Sequence, residues 1–410
     1  PFSFPAFIVP AATCIPASLA RYMLSSMRLI CALLLAAVSI AAVSPKRRPA
    51  RFREKTIATG LQLGYQLVAV DLNGDRLPDL IAIDERGSEL AWYENPTWRR
   101  HTIVANVPRT INVDYSDIDD DGVPELAILY KFESKPSASI GVIALLHHDG
   151  DPRNPWKLTE IDRVPSAHRV RFADLDGHGR RTLLMAPMVG LASTSPAYEA
   201  PVPIYVYQPD QWKRRLASDE LSGVVHGLYP TDWDGDGRQE LLTASFAGLR
   251  LFRPSPDGAW PSTAIAQGAP EPCPKCGSSE VAMGHLGKQR FLAAIEPWHG
   301  HEVSVYRETP AGWIRKVIDD SFVNGHALAV GDVDGDGMDE IVAGYRGAGY
   351  HLYLYDALDK RGEMWDRRAL DDKIAAVDCK IRDFTGDGRP DIACIGASTG
   401  DIRLYENLGK

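Results

Sequence analysis

The chain has 410 residues, 45% of them hydrophobic and 24% charged, with a formal net charge of −9. That balance supports a sizeable packed core and excludes a disordered or fibrous chain. With no basic block and no nucleic-acid motif in the sequence, nucleic acid is not an expected partner.

Residues 1–26 begin with Pro and fit neither a leader nor the rest of the chain, so they read as a non-native or upstream segment ahead of a start at Met23 or Met27. Residues 27–44 have a positive start, an uncharged apolar run of 15 residues and small residues at the end, the plan of a signal peptide. The run is shorter than the roughly 20 residues of a membrane span. Lys46, Arg47 and Arg48 follow directly and oppose translocation. The expectation is a secreted or periplasmic protein without stable membrane insertion.

From residue 50 onward one unit returns seven times. Four copies carry an intact acidic loop: Asp71, Asn73, Asp75 and Asp79; Asp117, Asp119, Asp121 and Glu125; Asp232, Asp234, Asp236 and Glu240; Asp332, Asp334, Asp336 and Glu340. Oxygen donors at positions 1, 3, 5 and 9, with glycine between them, suit a hard cation that takes six or more oxygens, and the reading is Ca2+. An EF-hand needs a Glu at position 12 between helices, whereas here strand-like runs such as Leu80–Ile83 follow. A fifth loop, Asp383, Thr385, Asp387 and Asp391, keeps three acids and is expected to bind. The loop at Asp174 loses two ligands to His178 and Thr182 and is not, and around His285–Lys288 the acids are gone. A plain Asp-Gly turn is the competing reading, made improbable by four recurrences of one spacing.

Two further signatures keep step. One is an aromatic leading basic and aliphatic residues, as at Phe52, Trp98, Trp156, Trp212, Trp260, Trp313 and Trp365. The other is a short alternating strand such as Leu352–Tyr355. Each unit of about 46 to 58 residues therefore reads as four strands, the period of a β-propeller. The segment at Phe52 is a fourth strand without a blade, and Ile402–Tyr405 is a third strand without a fourth. Pairing them closes the ring and removes the open edge. The predicted fold is all-β, a seven-bladed propeller of four-stranded blades over residues 50–410, closed by the N-terminal strand.

The acidic loops with their Val/Ala-Gly-Asp and Ile-Val-Ala-Gly flanks resemble the FG-GAP or VCBS repeats of integrin alpha-chain propellers and many secreted bacterial proteins. The resemblance implies the propeller fold and calcium, while the fold hosts adhesion, sugar binding and catalysis alike. Removing residues 1–44 leaves −11, and five Ca2+ would bring the particle to about −1. Cys273-Pro-Lys-Cys276 reads as half a zinc site or, in an exported chain, as a local disulfide. Cys379 and Cys394 flank the last loop as a second disulfide or two buried thiols.

The candidate ligand site rests on histidines. His168, His226 and His326 each lie six residues before the first Asp of a loop, at the start of an inner strand, and should converge at the channel mouth. The connections holding His299 and His301, and Tyr345 and Arg346, reach the same face, and residues 187–203 form a candidate lid. Their side chains are expected to be exposed, so truncation should change stability by less than about 1 kcal/mol. Activity should fall below about pH 6.5 as imidazole protonates. A lone His is more often a satisfied strand-end residue, but three at one phase favour a site for a small polar ligand. Trp298, Tyr345 and Tyr350 would suit stacking on sugar rings.

The His-bearing inner strands and the His-Gly-His connection are similar to the propeller of aldos-2-ulose dehydratase. That resemblance implies a carbon–oxygen lyase acting on keto-sugars, with a His as base and Arg346 or further His residues stabilising the enolate. Two readings stand: a carbohydrate-binding propeller with lyase chemistry, and an adhesion or protein-interaction propeller without chemistry.

Overall fold

The alternation of apolar residues along short runs, broken every few residues by Gly, Asp and Pro, commits the chain to strands. The computed structural model describes residues 49–410 except 180, 210, 256 and 257. The upstream segment, the signal peptide and the basic cluster after it lie outside the described residues.

Ala50–Lys410 forms one unit of seven four-stranded antiparallel sheets. The inner strands are Gly64–Val70, Asn112–Ser116, Ala167–Asp174, Val225–Thr231, Glu280–Leu286, Gly325–Gly331 and Ala376–Arg382. In the last sheet Phe52–Thr59 pairs with Asp401–Asn407 as the outer strand. Residues more than 340 apart in sequence thus share one ladder, and the ring closes as the repeat phase requires.

Second strands such as Asp79–Asp84 are almost wholly buried and inner strands such as Gly325–Gly331 are buried at their starts, whereas outer strands such as Lys157–Arg163 are largely exposed. The tyrosines that end the third strands latch neighbouring blades. Tyr207, Tyr355 and Tyr405 donate to Asp162, Asp319 and Asp371 of the preceding blade's outer strand at 2.8, 2.7 and 2.6 Å. Arg214, Arg367 and Arg403 complete each latch at 3.3, 2.7 and 2.9 Å from the same Asp. The sequence showed these tyrosines as strand markers but not what they bind.

Cys273 is disulfide-bonded to Cys276, which excludes the half zinc site, and Cys379 to Cys394. The second pair sits directly opposite across the hairpin of blade 7. In blade 5 the acidic loop is reduced to a two-residue turn, Gly287–Lys288, between Leu286 and Gln289.

Candidate functional site

Five inner strands begin with the same irregularity. The ladder to the second strand skips one residue, and the skipped residues are Tyr65, His168, His226, His326 and Val377. A bulge leaves one residue out of register and re-aims its side chain. Here that residue is the one six positions before the loop's first Asp, so the bulges turn Tyr65, His168, His226 and His326 toward one another. His299 joins from the connection after Gln289–Glu296, with a left-handed backbone at φ 48°.

The rings form a continuous cluster. His226 lies 5.0 Å from His168, 5.0 Å from His299 and 5.1 Å from His326 between centroids. Ligand nitrogens of His226, His299 and His326 lie within 4.8 Å of one another. The hydrogen bonds fix which nitrogens are free. Glu280 sits 2.7 Å from His226 Nδ1, and a carboxylate only accepts, so Nδ1 carries the proton and Nε2 is the accepting nitrogen, with Arg169 Nη2 at 3.4 Å and His299 Nε2 at 3.3 Å. His326 Nδ1 likewise donates to the Val377 carbonyl at 2.6 Å, leaving Nε2 buried without a partner. An imidazole whose far nitrogen is held by a carboxylate or carbonyl is the arrangement found behind metal ligands.

His168 differs. Its Nε2 lies 3.1 Å from the Tyr65 hydroxyl and 3.1 Å from Arg169 Nη1, both donors, so this nitrogen accepts. Arg169 also bonds Glu280 at 3.0 Å. Burial and the nearby guanidinium groups hold His168, His299 and His326 well below the ordinary imidazole range and His226 at about 4. Glu280 falls to about 2, its burial outweighed by His226 and Arg169. At neutral pH the imidazoles are neutral and Glu280 is ionised.

Three expectations need correction. The imidazoles of His168, His226 and His326 are not exposed: these residues are 2%, 1% and 4% accessible, His168 packed against Phe132 and the other two against His299. His301 turns away, half exposed, with Nε2 3.8 Å from its neighbour Glu302. Tyr345 donates to the Gly349 carbonyl and meets His351 at 3.2 Å, tying its own connection together instead of facing the cluster. Arg346 does arrive, its Nη2 3.4 Å from His299 Nδ1. Of the aromatic residues, Trp298 lies 4.7 Å from His299 and Tyr198, from the candidate lid, meets Trp298 at 6.5 Å. Tyr350 packs against the apolar cluster between blades 5 and 6.

Tyr65, Arg169 and Glu280 escaped the sequence reading. Tyr65 carries the same signal as the histidines, six residues before Asp71, and Arg169 adjoins His168. Glu280 had no countable phase because blade 5 has lost its acidic loop. Tyr65, Arg169, Glu280 and His326 line a cavity of about 410 Å³. It shares Gln66, Arg171, Lys380 and Arg382 with a second cavity that reaches Asp117 and Asp120, so polar space continues along the inner strands toward the acidic loops.

At that far end the loops fold around their first Asp. Asp332, for example, accepts the amides of Gly335 and Gly337 at 2.7 and 2.8 Å. Carboxylate oxygens of Asp232, Asp234 and Asp236, of Asp332, Asp334 and Asp336, and of Asp117, Asp119 and Glu125 gather within 4.8 Å in each set. In the first and last loops backbone amides take both oxygens of the buried position-9 acid. Asp79 accepts the amides of Leu72 and Asn95, and Asp391 those of Phe384 and Asn407. Burial raises Asp79 to about 7 and Glu340 to about 9.

Fold and repeats together define the class: a seven-bladed β-propeller that carries FG-GAP repeats. FG-GAP-like and FG-GAP repeat profiles match residues 71–128 and 324–357. Residues 140–309, which carry His168, His226 and His299, match the family described as the beta-propeller domain of aldos-2-ulose dehydratase. Aldos-2-ulose dehydratase of Phanerodontia chrysosporium is 26% identical over 276 residues, covering 60% of this chain and 30% of that enzyme. The chain therefore matches under a third of that relative's length. The extracellular domain of a one component system from B. thetaiotaomicron shares the fold, with a TM-score of 0.53 at 13% identity over 86% of this chain and 39% of that one. Among the described residues no helix is long and apolar enough to cross a membrane.

Proposed function

We propose that this propeller binds a keto-sugar at the histidine cluster and eliminates water from it, as a carbon–oxygen lyase. The observation that carries this reading is the convergence of His226, His299 and His326, with Nδ1 of His226 and His326 holding the proton and Nε2 of His326 buried without a partner. The likeness to the dehydratase propeller supports it.

Loss of water from a sugar ketone needs the C–H bond beside the carbonyl to break, a C=C bond to form, and the β-hydroxyl to leave with a proton. The Tyr65–His168 pair is placed to handle those protons. Tyr65 lines the cavity, and its hydroxyl hydrogen-bonds the accepting Nε2 of His168, so a proton can pass between substrate oxygen, phenol and imidazole. The Glu280–Arg169 pair holds His226 and His168 in their tautomers. His226, His299 and His326 would hold a divalent cation such as Zn2+, which when bound polarises a carbonyl as a Lewis acid.

Five Ca2+ sites at the acidic loops and export from the cytoplasm belong to the same proposal. Carboxylate sets crowded within 4.8 Å in three of the five loops, with the same ligand spacing in the other two, support the first. Two disulfides support the second, since they persist in oxidising compartments.

The test is a panel of 2-keto sugars, followed by the ultraviolet absorbance of the conjugated enone product, with and without added Zn2+. Wild-type protein should produce enone, and Tyr65→Phe and His326→Ala should lower the rate by 100-fold or more. If no keto-sugar is turned over under any metal condition, the lyase reading fails and the interaction-propeller reading replaces it.

A further inference from the structure

The charges around the cluster do not balance. Arg169 is matched by Glu280, 3.0 Å from its Nη2. Glu280 also serves His226, 2.7 Å from its Nδ1. Arg346 has no such partner. Its guanidinium meets His299, 3.4 Å from Nδ1 and 3.5 Å from Nε2, and among the described residues no carboxylate lies within ion-pair distance of it. Glu85, an acid in its wider field, is held by Arg109 at 2.5 Å. Arg346 is half-buried, and that burial lowers its affinity for its proton.

A half-buried cation without a counter-ion is costly to keep, and a bound ligand that supplies the opposite charge offsets that cost. Stabilising a transient enolate would leave Arg346 unmatched through binding. A permanent anion would match it from the start, and the planar guanidinium suits a carboxylate held through two parallel bonds.

We infer that the ligand is a sugar acid, a keto-sugar bearing a carboxylate that Arg346 binds while the ketone faces the histidine cluster. The inference rests on the keto-sugar reading and narrows its substrate class.

Calorimetric titration of the full chain with a matched pair of probes tests it. 2-Keto-D-gluconate and D-fructose differ at C1, carboxylate against hydroxymethyl. Wild-type protein should bind the acid at least tenfold more tightly at low salt, and the preference should shrink as ionic strength rises. Arg346→Met should bring the acid's affinity down to that of the neutral sugar, and Arg346→Lys should recover part of it. Equal affinity for the two probes in the wild type, no binding of either, or a preference that survives in Arg346→Met overturns the inference. The two readings fail separately. Turnover of neutral keto-sugars with no acid preference removes the carboxylate and leaves the lyase, whereas tight acid binding without enone formation removes the lyase and leaves the carboxylate.

Discussion

His226 shows how far burial changes a side chain's behaviour. Its imidazole touches Glu280, His168, His299 and His326 at once, so His226→Ala removes a packed ring and one of the two partners of Glu280, leaving Arg169. We expect a loss of more than about 2 kcal/mol, against the value below 1 kcal/mol expected for an exposed residue. Protonation follows the same logic. In the unfolded chain these imidazoles titrate near 6.5, while in the folded protein His226 titrates at about 4 and its neighbours well below 6.5. As pH falls the unfolded chain takes up protons first, so stability is full above about 6.5 and declines toward pH 4. Melting temperature should drop over that window, and less steeply in His226→Gln, while ligand binding persists well below pH 6.5. A melting temperature constant from pH 7 to 4.5 would falsify the buried-neutral assignment.

The acidic loops act at the scale of the hairpin. Each first Asp organises its loop by accepting backbone amides, and each position-9 acid anchors the loop to the second strand, as Glu340 does by accepting the Val333 amide at 2.8 Å. Without a cation the remaining carboxylates repel one another. Chelation should therefore lower the melting temperature, and Ca2+ should restore it. Asp234→Ala and Asp334→Ala should abolish part of that response, whereas Asp176→Ala, in a loop that has lost two ligands, should leave it intact. Identical melting curves in chelator and excess Ca2+ would show that the loops are turns alone. Legibility at this scale was high for ligand spacing and low for Asp79 and Asp391, since spacing does not reveal that both oxygens of each are taken by backbone amides.

The ring is one cooperative object because its ends share a sheet. Phe52–Thr59 supplies the outer strand of blade 7, with Arg53 paired to Glu406 across the seam. Deleting residues 50–59 would leave Asp401–Asn407 as an open edge and remove the closing ladder. The truncated chain should aggregate on sizing chromatography and melt well below the full propeller. A soluble monomer of unchanged melting temperature would show that the seam is dispensable.

What the sequence determined by itself is whatever repeats. Blade number, strand phase, the acidic loops and the closing strand all follow from short local patterns whose period survives even where a copy has lost its acids, as at His285–Lys288. Tertiary structure decided which side chains meet. Residues 65, 168, 226, 280, 299, 326 and 346 come from five blades, and each approaches the cluster through a bulge, a strand start or a connection. A one-residue irregularity redirects such a side chain without leaving a mark in the periodic pattern. The same closure that buries the histidines also strips them of water, so their charge state was fixed by the ring and not by their type.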